Sequence, residues 1–241
     1  MLFSTPGLVL HTTPYGETSV IAKVFTRQMG VRSYIIKGVR GRSGRTKQNL
    51  LQPLSSLDMV VYNNQHNTLN HIKELTPRQK NSPTIKQSGS LAIANAMRFF
   101  MTEVLYKTLG EAEPLPDLYD EIEEMCETVD TDNANPSLPI VFLLRVAHHL
   151  GIEPLDNHSG QSPYFDLQEG RYVCTPTEST LTPTLSAMLY EYLSATHQAN
   201  LPKHQLSDRR ALIDALLAYY QMHISNFHNF NSHEILHSVF K

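Results

Sequence analysis

The 241 residues hold 20 Lys and Arg against 23 Asp and Glu, and 41% are apolar. That length and apolar share suit one large or two small domains with a real core, and exclude a disordered tail. Two cysteines, Cys126 and Cys174, make neither a disulfide framework nor a four-cysteine zinc site. No apolar run reaches the ~18 residues of a membrane-spanning helix. The opening residues lack the basic and apolar regions of a secretory leader, so a cytoplasmic protein is expected. The net charge of −3 hides an asymmetry: residues 1–80 hold 11 basic and three acidic residues (+8), residues 81–241 nine basic and 20 acidic (−11). A basic segment of that size points to a nucleic acid or another polyanion.

In chain order, Leu8-Val9-Leu10 and residues 19–25 read as strands around a turn at Pro14-Tyr15-Gly16-Glu17. Gly30 turns the chain into a third strand over residues 31–36, and residues 57–62 and 71–75 supply two more. Five short strands in such a span predict a small closed barrel over residues 1–78. Residues 76–88, with Pro77 and Pro83, read as a connector. The apolar period then becomes helical. Leu91, Ala94, Met97, Met101, Val104, Leu105 and Leu109 share one stripe of a long helix. Further helices are predicted over residues 116–128, 136–150, from Thr182-Pro183, from Ser207-Asp208 to about His223, and over 232–240. A hairpin is expected near residues 163–174, turning at Glu169-Gly170. The fold class is therefore α+β: an N-terminal five-stranded barrel, then a mostly α-helical domain over residues 79–241.

The sharpest chemical signal lies between two predicted strands: Lys37, Gly38, Arg40, Gly41, Arg42, Gly44, Arg45 and Lys47, with no acid among residues 37–47. Glycine permits close backbone approach and the cations displace counterions from phosphate, which predicts a sequence-independent phosphate clamp. The bland alternative is a solvated loop. Lys23, Arg27 and Arg32 extend this surface if their strands show the right faces. Tyr34 and Tyr62, with Tyr15, are base-stacking candidates, although a packed tyrosine is as good a reading. No Walker loop follows a strand, so nucleotide hydrolysis is unsupported.

Two other features carry weaker signals. His233, Glu234 and His237 spell H-E-x-x-H, which on a helix puts two imidazoles on one face beside a general base. Four residues follow, so no downstream third ligand is expected; a packed terminal helix is the preferred reading and a zinc metalloprotease the lesser one. Residues 111–132 carry ten carboxylates and no Lys or Arg, a solvated face that would repel DNA and orient it on the barrel.

Four segments in order, Tyr15-Gly16-Glu17-Thr18-Ser19, Phe25-Thr26-Arg27-Gln28-Met29-Gly30, Lys37-Gly38-Val39-Arg40 and Leu51-Gln52-Pro53-Leu54, resemble the amino-terminal domain of the RecO family of bacterial DNA repair proteins. Phe142-Leu143-Leu144-Arg145 with Leu150-Gly151-Ile152-Glu153-Pro154, then Tyr219-Tyr220-Gln221-Met222-His223 and Ser238-Val239-Phe240, resemble its helical part. The resemblance implies an OB-fold followed by a helical domain, and a non-enzymatic recombination mediator. Such a protein binds single- and double-stranded DNA, anneals complementary strands, engages the single-strand-binding protein SSB and RecR, and indirectly serves RecA, at the nucleoid. It implies no cofactor, membrane or small-molecule substrate. Arg145, Arg209 and Arg210 are candidates for docking an acidic SSB tail. Many members carry a four-cysteine zinc module after the Gly-x-x-Pro turn. Here Cys174 lacks partners, Thr177 stands where a C-x-x-C mate would be, and His158 makes at most a second ligand, so a metal-free hairpin held by Tyr164, Phe165 and Tyr172 is expected. An OB-type RNA or tRNA binder stays open as an alternative.

Overall fold

The computed structural model describes residues 2–41, 44–62, 69–78, 88–110, 114–130, 135–195 and 201–240. Five strands, β1 (Leu2–Tyr15), β2 (Ser19–Thr26), β3 (Gly30–Ile36), β4 (Ser56–Tyr62) and β5 (Leu69–Pro77), close into a barrel in the order β1-β2-β3-β5-β4. All ladders are antiparallel except β3 with β5, where Ser33, Tyr34 and Ile35 run parallel to Leu69, Asn70 and His71. A parallel pair needs a crossover; here it carries the short helix α1 (Arg45–Asn49) and β4. The interior holds Val9, Val24, Tyr34, Leu57, Met59 and Val61, drawn from four strands at alternating positions.

Strand β1 is far longer than the three residues expected at Leu8-Val9-Leu10. It serves two partners: residues 2–8 pair with β4 and residues 7–15 with β2. Gly7 stands where the two ladders overlap. A Cβ there would lie 2.6 Å from Val24 Cγ1 and 2.7 Å from Met59 Cε, so the close approach at this corner requires glycine.

The barrel belongs to a compact unit that also takes in residues Met101–Asp132, which include the end of α2 (Ser88–Thr108) and all of α3 (Pro116–Val129). Helix α3 buries Leu118, Tyr119, Ile122, Met125, Cys126 and Val129, a stripe at three- and four-residue steps that leaves most of its carboxylates outward. Tyr119 meets Phe25 of β2 edge-on, with ring centroids 5.5 Å apart.

The second unit, Ser88–Phe100 with Asn133–Lys241, is helical apart from one hairpin. It contains α4 (Leu138–His149), the strands β6 (Tyr164–Asp166) and β7 (Arg171–Val173), α5 (Pro183–Ala195), α6 (Leu206–His223) and α7 (Ser232–Val239). Phe100 packs edge-on against Phe142 and Phe230. The buried tyrosines of α5 and α6 satisfy their hydroxyls: Tyr220 donates to the Leu143 carbonyl at 2.6 Å, and Tyr192 lies 2.7 Å from Ser137 Oγ. Thr182 caps α5, its Oγ1 accepting from the Leu185 amide at 3.3 Å. Helix α6 starts one residue before the expected Ser207, with Gln205 as its cap residue. No helix among the described residues is long and apolar enough to cross a membrane.

Candidate nucleic-acid interface

The cationic run between β3 and β4 is not a plain loop. Val39 and Leu51 sink into the barrel core on either side of it, and α1 forms between them with none of its own residues buried. Gly44 makes the strap possible. A Cβ on it would stand 2.0 Å from the Val39 carbonyl oxygen, 2.4 Å from the Val39 carbonyl carbon and 2.7 Å from the Gly38 oxygen. This glycine is required by the chain's approach to its own backbone. Lys47 then reaches back, its Nζ donating to the Lys37 carbonyl at 3.0 Å. Arg40 fastens the strap to the β1–β2 turn: its amide donates to the Thr18 carbonyl at 2.9 Å and its Nη1 to the Gly16 carbonyl at 3.1 Å. Arg45 is exposed on α1. Arg42 lies outside the described residues.

Lys37 and Lys47 line an open groove of about 500 Å³. Tyr62, from the end of β4, and His71 and Lys73, from β5, complete its polar wall, with Ile36, Ile72 and Leu75 among its apolar lining. No carboxylate lines the groove among the described residues. Lys73 owes its place to a β-bulge. Val61 pairs with Ile72 and Val60 with Glu74, so Lys73 is the extra residue on its strand. The bulge lets Ile72 and Leu75, three apart, both pack against the barrel core. His71 and Lys73 were not anticipated; the irregular Ile72-to-Leu75 spacing is the sequence signal that marks the bulge.

The other proposed cations divide differently. Arg27 is engaged by α3: its Nε and Nη2 donate to Asp120 Oδ1 and Oδ2, both at 2.8 Å. That bidentate bond, together with the charge attraction, raises the Arg27 pKa and holds the Asp120 carboxyl below the usual carboxylate range. Arg78 bridges Asp58 at 3.3 Å and Glu123 at 3.5 Å, and Ser56 Oγ donates to Glu123 at 2.8 Å. The acidic helix thus does more than present a solvated face; it docks by its carboxylates on barrel cations. Lys23 lies under α2, its Nζ 5.0 Å from the Tyr106 ring centre. Arg32 is half-buried, opposite Val24 in the β2–β3 ladder.

Of the three stacking candidates, Tyr34 is corrected. It is 1% exposed in the barrel core, and burial pushes its phenol up to about 12. The inward parity of β3 decides this, and an enclosed ring has no face to offer a base. Tyr62 is 49% exposed and Tyr15 48%.

In the second unit, the His233 and His237 rings meet edge-on at 5.8 Å. His237 Nε2 lies 3.7 Å from Asp214 Oδ1. Burial, His233 and Arg210 hold its pKa below the usual histidine value, with Asp214 opposing them. Among the described residues, no group of three or more His, Cys, Asp or Glu is placed to hold a metal ion. Cys174 is exposed, and His158 stacks on Tyr190 at 4.5 Å and meets Tyr172 edge-on at 5.0 Å. The hairpin centres on Asp166, a buried carboxylate that accepts from Thr177 Oγ1 at 2.6 Å, Ser179 Oγ at 2.9 Å, and the amides of Gln168 and Glu169 at 2.9 and 3.0 Å. Burial works against this charge, but the hydrogen bonds outweigh it and keep the pKa below the ordinary value. Arg209 donates to the His204 carbonyl and Arg210 to those of His237 and Phe240, while Arg145 is half-buried on α4.

Comparison with known proteins places this arrangement. Residues 1–80 match the Recombination protein O N-terminal family and residues 92–229 the Recombination protein O C-terminal family. The chain belongs to the RecO family. A "DNA repair protein RecO" of Porphyromonas gingivalis is 30% identical over 256 residues, covering all of both chains. Proteins of the same name from Christiangramia forsetii and Flavobacterium johnsoniae are 25% and 24% identical, again over the full length of both. The family's N-terminal match coincides with the closed barrel, and its C-terminal match falls on the helices. The expected OB-fold and helical architecture is therefore borne out.

Proposed function

We propose that the chain is a non-enzymatic DNA repair and recombination mediator. It binds single- and double-stranded DNA without reading sequence, through Lys37, Arg40, Arg45 and Lys47 with Arg42 between them. It anneals complementary strands and helps RecA load onto strands coated with SSB, in the cytoplasm at the nucleoid, with SSB and RecR as protein partners. Full-length similarity to proteins named for DNA repair supports this reading. The observation that carries it is the strap itself, which holds Lys37 and Lys47 together beside a groove whose described lining has no carboxylate.

Annealing by such a surface is charge chemistry. Two strands repel through their phosphates; Lys and Arg neutralise them and release counterions, while the base edges stay free to pair. No group transfer is needed. A gel assay of annealing between complementary oligonucleotides coated with SSB, without nucleotide, tests the function. Acceleration by the wild-type protein that is lost when Lys37, Arg40, Arg45 and Lys47 are replaced by Ala is the expected outcome. No acceleration by the wild type would refute it, and equal binding of RNA and DNA strands would favour an RNA-binding module.

A further inference from the structure

Resting on that DNA-binding reading, we infer that the groove beside the strap is a pocket for one unpaired nucleotide, so that the protein grips single strands by a base as well as by phosphates. The chemistry of its walls is that of a nucleotide. Ile36, Ile72 and Leu75 give an apolar surface, Tyr62 offers a half-exposed ring at one edge, and Lys37 and Lys47 supply cations, joined by Lys73, whose Nζ lies 3.4 Å from Glu74 in an exposed pair weak enough for a phosphate to displace. At about 500 Å³ it falls within the range of small-ligand sites, roughly 300–1,000 Å³.

Two observations set this groove apart from a generally basic surface. The bulge in β5 inserts Lys73 as a residue without a ladder partner on β4, and its side chain enters the groove wall while Ile72 and Leu75 keep the barrel packed. Bulges of this kind re-aim single side chains. Second, the Phe and Tyr side chains of the first 62 residues are sorted by the fold: Phe25 and Tyr34 are core, Phe3 packs against it, and of the two exposed rings, Tyr15 and Tyr62, it is Tyr62 that lines the cationic groove. Phosphate binding alone has no use for a ring and an aliphatic surface. A base does, because every base has a π-face and stacks without sequence preference. Bases in a duplex are stacked on their neighbours and cannot enter, so the pocket favours a strand with an unpaired position. Phosphates flanking that base meet the lysines.

The test compares three labelled ligands of equal length by fluorescence anisotropy: an oligothymidylate strand, the same strand with its bases replaced by abasic sites, and a blunt duplex. Wild type is set against Tyr62→Ala, Tyr62→Phe and Lys73→Ala. Tyr62→Ala is expected to bind the thymidylate strand roughly tenfold more weakly. Its affinity for the abasic strand and the duplex, and its salt dependence, stay unchanged, and Tyr62→Phe restores strand binding. Lys73→Ala weakens binding and flattens the salt dependence on all three ligands. Tyr62→Ala acting equally on all three ligands, or on none, overturns the pocket. So does a free thymidine mononucleotide competing as well as the strand does, since that makes the groove a small-molecule site. If the wild type binds no nucleic acid at all, the DNA-binding proposal itself fails, an outcome distinct from these.

Discussion

Gly44→Ala separates the shape of the strap from its charge, because no cation is altered. The new methyl carbon would stand 2.0 Å from the Val39 carbonyl oxygen, and real Cβ atoms keep at least 3.0 Å. The opposing atoms are backbone, so α1 or the Gly38–Val39 peptide must move by about 1 Å or more. Overpacking a well-fitted site costs typically 1–3 kcal/mol. Helix α1 buries no side chain, so the strain is released by letting the strap swing away while the barrel core stays packed. The 3.0 Å bond from Lys47 to the Lys37 carbonyl would then lengthen past hydrogen-bonding distance. Losing one placed cation removes roughly 0.7–0.9 from the slope of log K against log salt, about a threefold affinity change over a fourfold salt range. Anisotropy titrations of a labelled oligonucleotide at several salt concentrations, with a urea midpoint for each variant, measure both effects. The expected variant has a near wild-type midpoint, weaker binding and a shallower slope. Wild-type affinity and slope at an unchanged midpoint would refute the argument that Gly44 places the cations.

Four further outcomes are expected. Lys37→Ala and Lys47→Ala should each lower the salt slope by about 0.7 on single strands and about 0.9 on duplex; slopes equal to wild type would count against the groove. Tyr34→Ala should open a cavity in the barrel and cost about 3–5 kcal/mol in urea unfolding, with unchanged affinity per folded molecule; weakened binding without lost stability would return Tyr34 to the ligand. Arg27→Ala should leave affinity within about twofold of wild type in the same titration, since Asp120 already occupies its guanidinium; a flattened salt slope would contradict that. Asp166→Ala should destabilise by about 3 kcal/mol at neutral pH, because it strands two amides and two hydroxyls. The folded pKa of Asp166 is depressed, so its ionic contribution is present above the ordinary carboxylate value near 4 and fades as pH falls through the folded value. Urea midpoints of wild type and Asp166→Asn should therefore converge in acid, and a gap independent of pH would exclude the charge as the cause.

The parts of the fold governed by local pattern were legible in the residues. Strands β2 to β4 show β-branched and aromatic runs with turns between them, and α3 and α4 show their apolar stripes. Strand β1 was only partly legible, since Thr5, Pro6 and Gly7 interrupt the alternation and its length is set by two distant partners. The run around α1 has no apolar period, so its helical turn was invisible; Val39 and Leu51 impose it from outside. The same limit applies to the candidate site. Composition singled out Lys37 and Lys47, but the fate of Arg27 depends on Asp120, 93 positions away. The inward turn of Tyr34 depends on which face of β3 the barrel encloses, and Lys73 enters the groove through a bulge that only the β4 register defines.

The docking of α3 has a consequence for synthesis. All five strands have emerged once Pro77 leaves the ribosome, yet Phe25, Ser56 and Arg78 gain their α3 partners only after some 50 further residues have followed. During that interval the nascent barrel shows solvent an uncovered apolar spot and an uncompensated Arg27, while Arg78 has Asp58 alone, and a polypeptide halted near residue 80 keeps this surface permanently. Such a fragment should be stickier and less soluble than the whole chain, and adding back residues through Val129 should cure it.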